Sequence, residues 1–174
     1  MSFADQLRVG GHRNSLGDAV KVLEAVLTDQ SRLDELYACI SHEDAWVRMR
    51  AIDTFEKVGR EHPGWLEPYI DDLLNEVSKV DQPSIQWHLA EIFCEVRLSD
   101  TQRSKAIDLL KTNIATVNVD WIVAANTMTA LVHFVKTGHI SPSEAIRLLE
   151  VQQDHHSNAV KKRAAKLLNQ ISEL

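Results

Sequence analysis

The chain has 174 residues, of which 44% are hydrophobic and 25% are charged, and its formal net charge is −6. This composition is typical of a globular protein, and six glycines and four prolines are too few for a turn-rich all-β fold. No apolar run approaches the ~20 residues that a membrane-spanning helix needs, and residues 1–13 lack the apolar segment of a signal peptide. The two cysteines, Cys39 and Cys94, fall in predicted helices, and we expect reduced thiols in a cytoplasmic protein.

Hydrophobic residues at helical spacing predict a series of helices along the chain. In order they cover residues 15–28, 31–41, 44–60, 64–79, 83–97, 101–116, 119–137, 142–153 and 157–173. The four prolines, Pro63, Pro68, Pro83 and Pro142, are expected in connections or first turns, where a missing backbone N–H does little harm. Ser15, with Asp18 three residues later, resembles a capping box at the start of the first helix. The sequence therefore predicts an all-α protein.

Four of these helices carry the same hydrophobic pattern. Their first stripe residues are Val47, Ile85, Val123 and Val160, which lie 38, 38 and 37 residues apart. Positions +4, +8 and +11 complete the pattern with Ala51, Phe55 and Val58; Leu89, Phe93 and Val96; Thr127, Leu131 and Phe134; and Ala164, Leu168 and Ile171. This spacing forms one apolar stripe along an α-helix. A helix that recurs with such a period is typical of an α-solenoid.

The repeated pattern predicts one domain in two parts. Residues 1–30 form an N-terminal tail and a capping helix, and residues 31–174 form an array of four helix pairs. The pairs cover about residues 31–60, 64–97, 101–137 and 142–173. We expect the pairs to stack as a right-handed α-α superhelix.

The first of the four aligned helices carries a recognisable signature. Residues 44–52 read Asp-Ala-Trp-Val-Arg-Met-Arg-Ala-Ile, and this resembles the D-x-x-V-R pattern in the second helix of a HEAT-type repeat. The other three copies have Gln86, Ala124 and Lys161 in place of Arg48. The resemblance covers about residues 31–174 and implies a HEAT-like, armadillo-type fold. It also implies that the second helices line a concave surface and that Arg48 pairs with an acidic residue between repeats.

The helix face opposite the apolar stripe is the candidate binding surface under this resemblance. Met49, Asp53 and Glu56 lie there in the first copy, and Trp87 and Glu91 in the second. Tryptophan is enriched at binding hot spots, so we expect Trp87 to anchor a protein or peptide with Met49; the alternative is that Trp87 packs against a neighbouring first helix. We expect the three carboxylates to select a basic partner. Residues 41–100 hold 13 acids and 6 bases, in agreement with that preference.

The family resemblance leaves other functions open. A few HEAT-like proteins are DNA glycosylases that remove alkylated bases. In that hypothesis tryptophans cradle the damaged base, an aspartate (Asp44, Asp53 or Asp120) stabilises the developing cation, and the phosphates are contacted by Arg48, Arg50 and Arg60. The acidic middle of the chain opposes DNA binding. A third hypothesis is an accessory subunit that acts only within a complex, as phycobilin-lyase-like HEAT proteins do. We favour a non-enzymatic scaffold that binds protein.

The sequence predicts no catalytic residue, metal site or cofactor. His88, Glu91 and Glu95 share one helix face, but the Glu-x-x-His pairs of dinuclear centres run in the opposite order and occur on two helices. Motifs for a nucleophile, a phosphate-binding loop or a zinc hydrolase do not occur in the sequence. We expect no nucleic-acid or membrane partner, and a monomer or a weak dimer. Apolar residues near the end of the last helix, such as Leu168 and Ile171, are the predicted dimer contact.

Overall fold

The computed structural model describes residues 1–10 and 16–173. Within these ranges the secondary structure is helical without strands, which confirms the predicted all-α class. The α-helices are α1 (Phe3–Arg8), α2 (Ala19–Thr28), α3 (Leu33–Ala38), α4 (Ala45–Glu61), α5 (Ile70–Asn75), α6 (Pro83–Glu95), α7 (Asp100–Asn113), α8 (Trp121–Lys136), α9 (Pro142–Gln152) and α10 (Asn158–Ser172). Short 3₁₀ segments cover Gln30–Arg32, Cys39–Ser41, Pro63–Tyr69 and Val77–Lys79. Ser15, with the capping box predicted there, lies outside the described residues.

The predicted helix at 64–79 is divided into three pieces in the structure. A 3₁₀ segment, Pro63–Tyr69, contains Pro68, and α5 begins only after it at Ile70. Proline lacks the backbone N–H of the α-helical hydrogen bond, and its ring clashes with the preceding turn, so the tighter 3₁₀ form takes its place. The predicted helix at 31–41 is divided as well, with the 3₁₀ segments Gln30–Arg32 and Cys39–Ser41 on either side of α3. Each of the remaining predicted helices has a counterpart whose ends differ by a few residues.

The repeated apolar stripe forms the core of the aligned helices. In α4 the stripe residues Val47, Ala51, Phe55 and Val58 are fully buried, and those of α6 and α8 are buried as well. In α10 the stripe residues Val160, Ala164 and Ile171 are buried, whereas Leu168 is only half-buried and the neighbouring Leu167 is buried in its place. Burial of apolar area at about 25 cal/mol per Å² makes these positions the main source of stability. The pattern in the sequence therefore identifies the core face of each aligned helix.

A short N-terminal helix, α1, is present where the sequence pattern indicates only a tail. Ser2 and Asp5 form a capping box at its start, and Phe3 and Leu7 are fully buried. The Phe3 backbone N–H donates to Glu35 Oε1 at 2.9 Å, which ties α1 to α3. Residues 3–8 thus belong to the folded core of the N-terminal region.

The described chain forms two compact units, with no helix both long and apolar enough to cross a membrane. The first unit is Met1–His88 with Glu95–Arg97. In it the rings of Tyr37 and Tyr69, both half-buried, pack with the buried Phe55, and the ring centroids are 4.4–5.4 Å apart. The second unit is Leu89–Cys94 with Leu98–Leu174, in which α8 packs against α7, α9 and α10. Cys39 and Cys94 are free thiols. Burial raises the pKa of the Cys39 thiol to about 11, so it is protonated and unreactive near neutral pH.

Candidate functional site

The five residues of the predicted binding strip differ in exposure. On α4, Met49 and Asp53 are half-buried and Glu56 is buried, with only 1% of its side chain exposed. On α6, Trp87 and Glu91 are half-buried. Glu56 therefore lies beneath the surface and is not available for direct contact with a partner.

The carboxylates of α4 already have cationic partners one helical turn away. Lys57 Nζ lies 2.5 Å from Asp53 Oδ2, and Arg60 Nε contacts Glu56 Oε1. Arg60 Nε also lies 3.1 Å from Glu95 Oε1, near the end of α6. Because opposite charges at i and i+4 are neighbours on a helix, α4 compensates most of its own acidity. The strip is therefore less negatively charged than its sequence suggests.

The imidazole of His88 lies at the centre of this ion-paired cluster. Its side chain is 2% exposed, with Nε2 3.7 Å from Asp53 Oδ1 and Nδ1 3.9 Å from Glu56 Oε2. Both distances exceed those of a hydrogen bond, and Nδ1 has no hydrogen-bond partner among the described residues. Burial, with contributions from the Lys57 and Arg60 cations, lowers the pKa of His88 to about 3. The ring is therefore neutral at pH 7.

A neutral imidazole with carboxylates nearby is also the donor chemistry that transition metals use. In this cluster, however, Lys57 and Arg60 compensate the charges of Asp53 and Glu56. A cation entering between them would have to displace both ion pairs within a buried environment, where an unpaired charge is costly. Asp53 and Glu56, with their cationic partners, therefore form an ion-pair network beside His88.

Trp87, the neighbour of His88 on α6, is half-buried. Its ring stacks on the ring of His88, with centroids 3.4 Å apart and an angle of 30° between the planes. Stacking on a neutral ring fixes the orientation of the indole, and part of the indole remains accessible. A held aromatic ring of this kind loses little conformational entropy when a partner binds.

The three arginines considered for phosphate contact all have partners within the chain, and Arg60 is the one paired with Glu56 and Glu95. Arg50 is 2% exposed, and its guanidinium donates to the carbonyls of Leu7, at 2.6 Å, Val9, at 3.2 Å, and Gly10. Arg50 thus holds the C-terminal end of α1 against α4. A buried side chain with this bonding pattern is not available to contact a phosphate backbone.

Arg48 joins two connections within the first unit. Its Nε donates to Gln82 Oε1 at 2.8 Å, and its Nη1 donates to the carbonyls of His42, at 2.8 Å, and Glu43, at 2.9 Å. The expected acidic partner of Arg48 is therefore replaced by a glutamine and two carbonyls. Gln86, which occupies the aligned position in α6, likewise donates to the carbonyls of the preceding connection, at Ser78 and Val80.

Two histidines have a repeated structural role that the sequence analysis does not predict. His42 Nδ1 accepts the Asp44 N–H at 3.0 Å, and His155 Nδ1 accepts the Ser157 N–H at 2.9 Å. Asp44 and Ser157 are the N-cap residues of α4 and α10. Both histidines lie five residues before the first stripe residue of their helix, and this equal offset is the sequence signal that could have identified them.

Comparison with protein families agrees with this geometry. Residues 4–171 match the HEAT repeat domain, so the matched region begins within α1 and ends within α10. No curated protein and no solved structure matches the chain. Together, the family match, the recurring helix pattern and the all-helical structure show that the chain belongs to the HEAT repeat family, a family of repeat-based helical scaffolds.

Proposed function

We propose that this chain is a non-enzymatic scaffold that binds a protein or peptide along the face of its second helices. The contact residues in the proposal are Met49, Asp53, Trp87 and Glu91. The membership in the HEAT repeat family supports the scaffold, and the held indole of Trp87 supports the location. Because a fold alone does not define a function, the proposal depends on this surface feature.

Trp87 is the observation that carries the proposal. The half-buried indole on α6 does not belong to the apolar stripe of that helix, which Ile85, Leu89 and Phe93 form; Ala90 and Ile92 are buried as well. Instead, the indole is stacked on His88 and partly exposed. Tryptophan in such a position is the residue type most often found at binding hot spots. Truncation of a hot-spot residue costs about 2 kcal/mol or more of binding free energy.

Fewer carboxylates can select a basic partner in this proposal than the residue types along the strip suggest. Glu56 is buried and ion-paired with Arg60, so in this proposal it supports His88 and the indole above it. Asp53 is half-buried and paired with Lys57, and a basic partner would compete with that lysine for the carboxylate. Selection for a basic partner therefore falls mainly on Asp53 and Glu91. We expect this selection to be weak and salt-dependent.

Affinity capture with matched tryptophan variants tests the proposal. The wild-type chain, Trp87→Ala and Trp121→Ala are used as baits in nuclease-treated lysate of the source cells, after circular dichroism shows that each is folded. Trp121 is a suitable control because it is 50% exposed in the first turn of α8 and does not belong to the strip. The expected result is a protein retained by the wild type and Trp121→Ala and reduced at least about tenfold with Trp87→Ala.

Other results of the capture experiment contradict the proposal. Equal retention by all three baits would show that the partner binds elsewhere. Loss with Trp121→Ala alone would move the binding site to α8. No retained protein with any bait, combined with nucleic acid retained from untreated lysate, would replace the scaffold function with nucleic-acid binding.

A further inference from the structure

We propose that a basic surface on the last helix of one copy of this chain binds an acidic surface on a second copy. The basic surface consists of Lys161, Lys162, Arg163 and Lys166 on α10. The acidic surface consists of Glu61, Glu67, Asp71, Asp72, Glu76 and Asp81, from the end of α4 to the residues before α6. Neither surface includes a residue of the strip proposed above to bind a partner, so the two proposals stand or fall separately.

The basic surface follows from the two-sided character of α10. Val160, Ala164, Leu167 and Ile171 bury one face of the helix, and the four cations occupy the opposite, exposed face. Residues 155–172 contain no acidic residue. None of the four cations forms an ion pair with a residue that the structure describes. The face therefore presents concentrated positive charge to solvent.

The acidic surface has the opposite character. Residues 61–81 hold six acidic residues and one basic residue, Lys79, and all six acidic side chains are exposed. Glu61, Glu67 and Asp81 form no ion pair with any described residue. The high local density of like charge raises the energy of this segment unless a cationic surface lies against it.

Charge complementarity identifies a second copy as the occupant. Every molecule carries both surfaces. The basic surface of one copy can therefore supply the cations that the acidic surface of another copy lacks, and the two are present at equal concentration. The apolar contact expected at the end of α10 does not compete, because Leu167 and Ile171 are buried within the chain itself, at 4% and 3% exposure. What α10 presents outward is charge. Contacts between exposed charges are individually weak, so we expect self-association that is weak and sensitive to salt.

Analytical ultracentrifugation of charge-reversed variants tests the contact. Variant A carries Lys161→Glu, Lys162→Glu and Lys166→Glu, and variant B carries Glu61→Lys, Glu67→Lys and Asp81→Lys. All six positions are exposed, so circular dichroism should show that both variants fold. In variant A the α10 surface changes from a net charge of +4 to −2, and in variant B the segment 61–81 changes from −5 to +1. Each variant alone should repel its own copies, whereas a mixture of the two restores opposite charges at every contact.

The expected result has three parts. Wild type exceeds its monomer mass of 19.7 kDa at high concentration in about 20 mM NaCl, and its association weakens at least about tenfold in about 500 mM NaCl. Variants A and B are each monomeric in low salt. Their equimolar mixture regains the wild-type association.

Three results would overturn the contact. The first is a wild-type chain that stays monomeric at its highest soluble concentration in low salt. The second is a variant that associates alone as well as the wild type does. The third is an excess mass that disappears on nuclease treatment, which would show that the basic surface binds nucleic acid.

Discussion

The imidazole of His88 lies 3.7 Å from a carboxylate oxygen of Asp53, too far for a hydrogen bond, although the ring is almost fully buried. The Asp53 carboxylate forms an ion pair with Lys57, whose Nζ lies 2.5 Å from Oδ2. Glu56, which lies near the Nδ1 atom of the ring, forms an ion pair with Arg60. Burial of the ring, with contributions from the nearby Lys57 and Arg60 cations, lowers the pKa of His88, so the ring stays neutral beside these paired carboxylates. This arrangement explains why a cluster of acidic residues on the strip does not raise the basicity of the histidine.

The first prediction concerns pH. Folding lowers the pKa of His88 from about 6.5 to about 3. Between these two values the histidine binds a proton in the unfolded chain and stays neutral in the folded chain. Stability from this group is therefore present near pH 7 and is lost as the pH falls from about 6.5 towards 3. At 1.36 kcal/mol per pH unit, wild type should lose about 2 kcal/mol between pH 7 and pH 5 through this group.

Urea unfolding at both pH values, with His88→Leu beside wild type, measures that contribution. The variant should lose less stability on acidification than wild type, by about the same 2 kcal/mol. His62→Leu, at an exposed histidine, is the control and should keep the wild-type difference. An unchanged pH dependence in His88→Leu would assign the acid sensitivity to other groups.

The second prediction concerns the anchoring of α1. Arg50 donates to three carbonyls near the end of α1, so Arg50→Met leaves several buried acceptors unpaired. We expect a loss of about 3 kcal/mol in the free energy of unfolding. Arg50→Lys should recover only part of it, because an ammonium group lacks the planar fork of the guanidinium.

Hydrogen exchange distinguishes anchoring from a general loss of stability. In Arg50→Met the amides of α1 should exchange faster than in wild type, whereas exchange in α8, which belongs to the other compact unit, should change less. The exposed Arg97 provides a control, since Arg97→Met should leave both stability and α1 exchange close to wild type. Protection of α1 that matches wild type in Arg50→Met would show that Phe3 and Leu7 alone hold the helix.

The stripe of α4 shows how far sequence reasoning extends. Val47, Ala51, Phe55 and Val58 are all fully buried, as predicted, because a 17-residue helix samples its hydrophobic period several times. The six residues of α1 contain only one apolar i, i+4 pair, which is too little to distinguish a helix from a tail. Length therefore limits what periodicity can predict.

The burial of Glu56 could not be derived in the same way. Its partner Arg60 is four residues away and can be identified in the sequence, but His88 comes from another helix and closes the cluster only after folding. The role of Arg48 depends similarly on Gln82, 34 residues later in the chain. Helix faces follow from local pattern, whereas partners across helices depend on tertiary packing.

The third prediction compares two glycines with positive φ. Gly17 has φ +53°, and a Cβ there would lie 2.0 Å from the Val9 carbonyl oxygen, which is rigid backbone. Gly138 has φ +76°, but a Cβ there meets no atom within 4 Å. Gly138→Ala should therefore cost about 1 kcal/mol for the left-handed conformation alone. Gly17→Ala should cost at least about 2 kcal/mol more, because the backbone must move as well.

Thermal and urea unfolding of the two alanine variants check this order. Gly64→Ala is a third reference, since no φ constraint or neighbouring atom is present there. Equal losses of stability in Gly17→Ala and Gly138→Ala would show that the backbone near Gly17 can move without a further loss of stability.

The last prediction concerns His155, which is fully buried between the α7–α8 and α9–α10 connections. Its Nδ1 accepts the Ser157 N–H, so in the neutral ring Nε2 carries the proton and donates to the Val119 carbonyl at 2.9 Å. His155→Ala leaves both partners unpaired and should cost about 2–3 kcal/mol of stability. His155→Asn can still accept the Ser157 N–H through its side-chain oxygen but cannot reach Val119, so its cost should be intermediate.

His156→Ala, at the exposed neighbour, should stay within about 0.5 kcal/mol of wild type in the same urea titration. If His155→Ala and His156→Ala are equally mild, water replaces the ring, and the hydrogen bonds of His155 do not determine how the two connections are held.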